Sequence, residues 1–73
     1  MADDRQIFPA RFMLQRTDGD RWVKVGNGAN QPEPLFGRRR RLTKQAARAT
    51  PGVGPLPEFR IYDTREGREV VEP

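Results

Sequence analysis

The chain contains no cysteine and no histidine, so no disulfide bond can reinforce its fold. Disulfide bonds are excluded, as are the usual zinc, haem and iron–sulfur ligand sets, which all draw on these two residue types. A chain of 73 residues buries only about 60% of the surface that it exposes when unfolded. We therefore expect one small domain of marginal stability, with no cofactor and no metal ion.

The first part of the domain has the pattern of an antiparallel hairpin. From Ala10 to Arg16, Phe12 and Leu14 alternate with other residues, which is typical of a half-buried strand. Thr17–Asp20 predicts a tight turn, because its Asp-Gly pair readily adopts the positive φ angles of a type I′ connection. The returning strand is expected at Arg21–Gly26.

The last part of the chain predicts a second hairpin. Glu58–Asp63 alternates Phe59 and Ile61 with Arg60 and Tyr62, as a strand with one buried face does. Thr64–Gly67 turns the chain, and Arg68–Glu72 returns antiparallel to the strand before it. We assign four apolar residues of the predicted strands to the core: Phe12, Leu14, Phe59 and Ile61.

Between the hairpins, apolar residues recur at the spacing of a helix. They lie seven, four, three and four residues apart and form one stripe at 3.6 residues per turn: Leu35, Leu42, Ala46, Ala49 and Val53. We expect Gly37 to precede this helix, or Thr43 to cap a shorter one, and Pro51 with Gly52 to end it. The helix would then have two to three turns.

The complete pattern, β-β-α-β-β, predicts an α+β class: a small two-layer domain with one short basic helix on an antiparallel sheet. Asn27–Pro34 is expected to be an exposed loop and Pro51–Pro57 a stiff connector, because both are rich in turn-forming residues. The glycines of Gly26–Asn30 lack the Gly-Lys-Thr or Gly-Lys-Ser ending of a phosphate-binding loop, so we interpret them as a turn. Residues 1–9 would form a flexible N-terminal tail before a single domain at 10–73.

Catalysis has little support in the residue content. The chain lacks serine as well as cysteine and histidine, and its threonines and tyrosine have no neighbouring base. We expect a protein that is not an enzyme and has no small-molecule substrate. The first residues are polar and no apolar run approaches about 18 residues, so we expect no signal peptide, membrane span or membrane partner. The expected location is the cytoplasm of a bacterial cell, whether a bacterium or a phage encodes the chain.

The positive charge of the chain is concentrated in Arg38–Arg48. This segment holds six of the fourteen basic residues and no acidic one, which leaves eight basic and ten acidic residues elsewhere. Solvated helices usually mix charges, whereas four consecutive arginines repel one another. Because no acid lies nearby in the sequence, the pattern favours an anionic ligand over a role in solubility alone. The candidate contact residues are Arg38, Arg39, Arg40, Arg41, Lys44 and Arg48.

Aromatic residues on the predicted strands would add base stacking to such a contact. Trp22 shares its predicted face with Lys24 rather than with the apolar residues beside it, so the sequence leaves its orientation open. An exposed Trp22 would favour nucleic-acid binding. Trp22, Lys24 and Arg60 are therefore accessory candidates.

Several segments together resemble a known layout: Phe12–Arg16, Asp18–Asp20, Trp22–Val25, Lys44–Arg48, and Phe59–Asp63 with Gly67. The layout is similar to small bacterial and phage β-β-α-β domains of uncharacterised function. More loosely, it resembles the arm-binding domain of phage integrases, in which an antiparallel sheet and a helix bind DNA. In size and charge the chain also resembles small phage proteins that bind host RNA polymerase and redirect transcription.

These observations lead us to expect a regulatory protein whose arginine-rich helix docks on DNA or RNA, free or within a transcription complex. The alternative is a phage-type modulator that inhibits or retunes a host enzyme such as RNA polymerase by binding its acidic surface. A third hypothesis is a ribosome-associated component whose basic arm folds against RNA.

Overall fold

The computed structural model describes residues 10–49, 52 and 54–73, and the expected tail at residues 1–9 lies outside them. In chain order the elements are β1 (Phe12–Asp18), β2 (Arg21–Lys24), α1 (Glu33–Ala49), β3 (Phe59–Asp63) and β4 (Arg68–Val70). The four strands form one antiparallel sheet in the order β2-β1-β3-β4. Helix α1 packs on one face of this sheet, against β3 and β1. The predicted α+β class and its element order are confirmed.

The first hairpin turns over two residues, Gly19 and Asp20. Gly19 has a φ angle of +68°, which glycine adopts at little cost. The predicted turn at Thr17–Asp20 therefore starts two residues too early. The amide of Thr17 donates to the carbonyl of Glu58 at 3.0 Å, and its hydroxyl accepts from the amide of Glu58 at 3.0 Å. These contacts with a distant segment keep Thr17 in the sheet.

The connection between β2 and α1 returns to the sheet edge. Phe12 and Ala29 exchange two backbone hydrogen bonds, of 2.8 and 2.9 Å. Gly28 lies so close to Phe12 that a Cβ atom on it would meet the Phe12 carbonyl oxygen at 2.7 Å. Most of the loop at Asn27–Pro34 is exposed as expected, but Gly28 and Ala29 are half-buried.

Helix α1 begins at Glu33 and has 17 residues, so the predicted start after Gly37 and the predicted length of two to three turns are wrong. The amides of Leu35 and Phe36 donate to the carbonyl of Pro32 at 2.9 and 3.2 Å, and both side chains are buried. Burial of two such side chains contributes roughly 3–6 kcal/mol. Glycine inside a helix costs only about 1 kcal/mol relative to alanine, so the burial outweighs it.

The rest of α1 also differs from the prediction. Thr43 lies inside the helix instead of capping it, and its hydroxyl donates to the carbonyl of Arg39 at 2.8 Å. The helix ends at Ala49, while Pro51 and Val53, predicted to end the helix and to extend its stripe, lie outside the described residues. Within the described part of the chain, no helix is long and apolar enough to cross a membrane.

The core lies between α1 and the central strands. Leu14, Leu35 and Ile61 are fully buried there, with Phe12 and Phe36 nearly so. The predicted core residues Phe12, Leu14 and Ile61 are thus correct. Phe59 is only half-buried, because it pairs with Arg16 at the end of the β1–β3 ladder. Phe59 still packs against the core, and Phe36, which is off the predicted stripe, is one of its buried members.

Candidate nucleic-acid interface

Three of the six predicted cations form an exposed row along α1. At 100° per residue, Arg41, Lys44 and Arg48 fall within an arc of about 60°. Leu35 and Leu42, which pack in the core, lie on the opposite side of the helix. Among the described residues, none accepts a hydrogen bond from these three exposed side chains or forms an ion pair with them. We refer to Arg41, Lys44 and Arg48 as the helix ridge.

Arg38 is half-buried and makes a contact within the fold. Its Nη1 atom donates to the carbonyl oxygen of Asn27 at 3.1 Å and lies over Gly26, whose φ angle is +68°. This contact holds the loop after β2 against the first half of α1. One of the predicted ligand contacts is therefore already used within the chain.

Arg39 and Arg40 have an acidic partner that lies beyond the end of β4. Nη2 of Arg39 lies 2.6 Å from one carboxylate oxygen of Glu72, and Nη1 of Arg40 binds the other oxygen. The side chain of Arg39 is 20% exposed and that of Arg40 is 59% exposed. The expectation that the arginine cluster has no acid nearby is wrong for these two residues. Arg39 and Glu72 are 33 positions apart, so no local spacing could have predicted the pair.

The accessory candidates lie on the other side of the sheet. Residues alternate between the two faces of a strand, and α1 covers the face that carries Leu14 and Ile61. The opposite face, which we call the open face, carries seven side chains of β1, β2 and β3: Met13, Gln15, Thr17, Trp22, Lys24, Arg60 and Tyr62. The structure therefore brings Trp22, Lys24 and Arg60 together but separates them from the helix ridge by the thickness of the sheet.

A partly buried ion pair that the sequence did not suggest connects the second hairpin to the residue before β1. Nε and Nη2 of Arg11 donate to the two carboxylate oxygens of Asp63 at 3.0 and 2.8 Å. Hydrogen bonds from Arg11 and from the amides of Glu66 and Arg65 outweigh burial and lower the pKa of Asp63 to about 2. The carboxylate is therefore ionised near neutral pH and is not a proton donor there.

An open groove of about 570 Å³ lies beside this ion pair. Its lining mixes two arginines with three carboxylates and a few apolar side chains: Arg11, Phe12, Pro32, Asp63, Glu66, Arg68, Glu69, Val70 and Val71. No group of three or more potential metal ligands occurs among the described residues. The opposite charges of this lining compensate one another, so the groove lacks the positive excess of the helix ridge.

Comparisons of the chain with protein-family models, with curated proteins and with solved structures found no match. The three resemblances stated above therefore remain expectations. What the protein does has to be argued from the helix ridge and the open face themselves.

Proposed function

We propose that this chain is a non-catalytic binding protein that docks on the phosphate backbone of nucleic acid through the helix ridge. The observation that carries the proposal is that Arg41, Lys44 and Arg48 are exposed, share one side of α1 and have no partner among the described residues. Like charges held on one helix face destabilise the helix, and nothing described in the chain offsets this repulsion. A phosphate backbone would offset it.

The dimensions of the ridge suit this ligand. Arg41 and Arg48 are seven residues apart, which corresponds to about 10 Å along the helix axis. One strand of duplex DNA carries about three phosphates over this distance. Two of the three ridge residues are arginines, whose planar guanidinium groups donate two parallel hydrogen bonds to phosphate oxygens. Arg40, which is more than half exposed, lies beside Lys44 and can extend the contact.

Binding to a phosphate backbone alone carries no sequence information. The proposal therefore includes regulation within a transcription complex, in which other components would select the site. The competing hypothesis is an acidic protein surface, such as that of RNA polymerase, as the ligand of the same ridge.

The test is fluorescence anisotropy of labelled duplex DNA, single-stranded DNA and RNA with the purified protein at several salt concentrations. If three phosphates are neutralised, log K should fall with log salt concentration at a slope of about −2.7 on duplex DNA. A variant with Arg41→Gln, Lys44→Gln and Arg48→Gln should lose most of this affinity and most of the slope.

A matched control removes the same number of positive charges from positions outside α1. Arg21, Arg65 and Arg68 are exposed, and their side chains bind no partner among the described residues. The Arg21→Gln, Arg65→Gln, Arg68→Gln variant should keep affinity within about threefold of the unmodified protein, since only the net charge changes. Equal losses in the two variants, or no binding by the folded protein to any nucleic acid, would contradict the proposal. The latter outcome favours a protein ligand, which can be tested by measuring binding of the chain to RNA polymerase.

A further inference from the structure

The open face of the sheet carries a stack of planar side chains. The guanidinium carbon of Arg60 lies 4.2 Å from the centre of the Trp22 ring and 4.9 Å from that of Tyr62. Trp22 belongs to β2, and the other two belong to β3, so the stack crosses over β1. Both distances are within the range of attractive cation–π contacts.

Hydrogen bonds fix the orientation of this stack. Nε of Arg60 donates to Oε1 of Gln15 at 2.7 Å, and Nε2 of Gln15 donates to the sulfur of Met13 at 3.3 Å. A side chain that is already ordered loses little conformational entropy when a ligand binds to it. The guanidinium group and the two rings therefore form a preorganised stack of planar groups.

No described helix or strand packs on the open face, because α1 contacts only the other side of the sheet. Trp22, Arg60 and Tyr62 are each half-buried by their neighbours within the face and keep part of their surface exposed. The apolar core of the domain is complete without them. These large planar groups are thus available to a ligand.

We propose that the open face stacks the unpaired bases of single-stranded nucleic acid on Trp22, Arg60 and Tyr62. The inference rests on the proposed function for the class of ligand, but it assigns a second surface and selects the single-stranded form. Bases in a duplex already stack on one another, so the planar side chains of the open face can stack only on unpaired bases.

The rest of the open face agrees with this ligand. Lys24 is exposed and pairs with Gln15 in the β1–β2 ladder, so its ammonium group can reach a backbone phosphate beside a stacked base. Lys24 and Arg60 outnumber Glu69, the acid that pairs with Tyr62. Gln15 and Thr17 provide polar groups rather than an apolar surface, which a hydrophobic protein partner would need.

Trp22 is the single tryptophan of the chain, so its fluorescence reports directly on this face. The first experiment titrates the unmodified protein with an oligothymidine of about ten nucleotides and with an abasic oligomer of the same length. The two ligands carry the same phosphates, but only one carries bases. We expect the oligothymidine to quench Trp22 and to bind at least about fivefold more tightly, from the usual contribution of one stacked base.

A second experiment uses variants and labelled ligands. Trp22→Ala should weaken oligothymidine binding at least about fivefold and leave duplex binding by the helix ridge unchanged. Arg60→Lys keeps the charge but removes the planar group, so it should weaken oligothymidine binding as well. Val23→Ala is the matched control, because Val23 lies next to Trp22 but points to the other face of β2, and it should change neither affinity.

The outcomes separate this inference from the proposed function. Equal affinity of the unmodified protein for the oligothymidine and the abasic oligomer, without quenching, would overturn base stacking even if the ridge variant loses duplex binding. This comparison requires no mutation and stays valid if Trp22→Ala fails to fold. Base-dependent binding of the oligothymidine that survives the loss of the helix ridge would support the open face, and the ridge would be contradicted only if duplex binding survived that loss as well.

Discussion

One carboxylate oxygen of Glu72 lies 2.6 Å from Nη2 of Arg39, and this ion pair joins the segment after β4 to the middle of α1. The other oxygen of the same carboxylate binds Arg40. A carboxylate bound by two arginines occupies the position that a phosphate group would take. If the chain binds nucleic acid as proposed, Glu72 would therefore compete with it for the cations next to the helix ridge.

This competition predicts the effect of Glu72→Gln. The loss of the carboxylate frees Arg39 and Arg40 for phosphate, so affinity for duplex DNA should rise about two- to tenfold and the salt dependence should steepen. Anisotropy titrations at several salt concentrations measure both quantities. Glu69→Gln is the control, because it makes the same change of charge at an exposed β4 residue that forms no ion pair with any described arginine. Equal gains in the two variants would mean that only the net charge matters.

Arg38 and Arg41 should respond differently to the same substitution. Arg41→Gln removes one phosphate contact, so the magnitude of the salt slope on duplex DNA should fall by about 0.9, with a loss of affinity that is the same for all sequences. Arg38→Gln removes the hydrogen bond to Asn27 and should lower the free energy of unfolding by about 1 kcal/mol. It should change the slope little. A larger slope change for Arg38 than for Arg41 would contradict the assignment of the ridge.

The Arg11–Asp63 ion pair predicts acid sensitivity. The pKa of Asp63 is about 2 in the folded protein, and an unfolded aspartate has a pKa of about 3.9. The stabilisation is complete above the unfolded pKa and is lost as the pH falls from about 4 to 2, because the unfolded state then binds the proton more readily. The melting temperature should fall in this window. Asp63→Asn should lower it at neutral pH and flatten its decline in acid.

Substitution of two glycines by alanine should change the free energy of unfolding in opposite directions. At Gly37 a Cβ atom would meet only Nη2 of Arg40 at 3.9 Å, so Gly37→Ala should stabilise α1 by about 1 kcal/mol. At Gly28 a Cβ atom would lie 2.7 Å from the carbonyl oxygen of Phe12, so Gly28→Ala should destabilise the fold by about 1–3 kcal/mol. Urea denaturation followed by Trp22 fluorescence measures both. A destabilised Gly37→Ala variant would show that the helix needs this glycine for another reason.

The strands were predictable because their signal is local. Alternation at Phe12 and Leu14, and again at Phe59 and Ile61, depends only on the two faces of a strand, and these four residues do lie on the face that α1 covers. The observed strands begin and end within two residues of the predicted positions. Trp22 and Lys24 also share a face as predicted, and the sheet order decides that it is the open one.

The helix shows where local signals are insufficient. The low helix propensity of Gly37 predicted a helix start after it, yet the burial of Leu35 and Phe36 against the sheet extends α1 five residues further towards the N-terminus. Helix propensities differ by about 1 kcal/mol, whereas burial of a large apolar side chain contributes about 1.5–3 kcal/mol. Tertiary packing therefore decided the start of the helix.

By itself the sequence determined the element order, the apolar faces of the strands and the presence of six cations in one segment, since periodicity and composition are properties of neighbouring residues. Only the tertiary structure decided which cations are available to a ligand. Glu72 is 33 positions from Arg39, and Asn27 is 11 positions from Arg38. Such pairs form only when the chain folds, because burial of the core brings together polar groups that are far apart in the sequence.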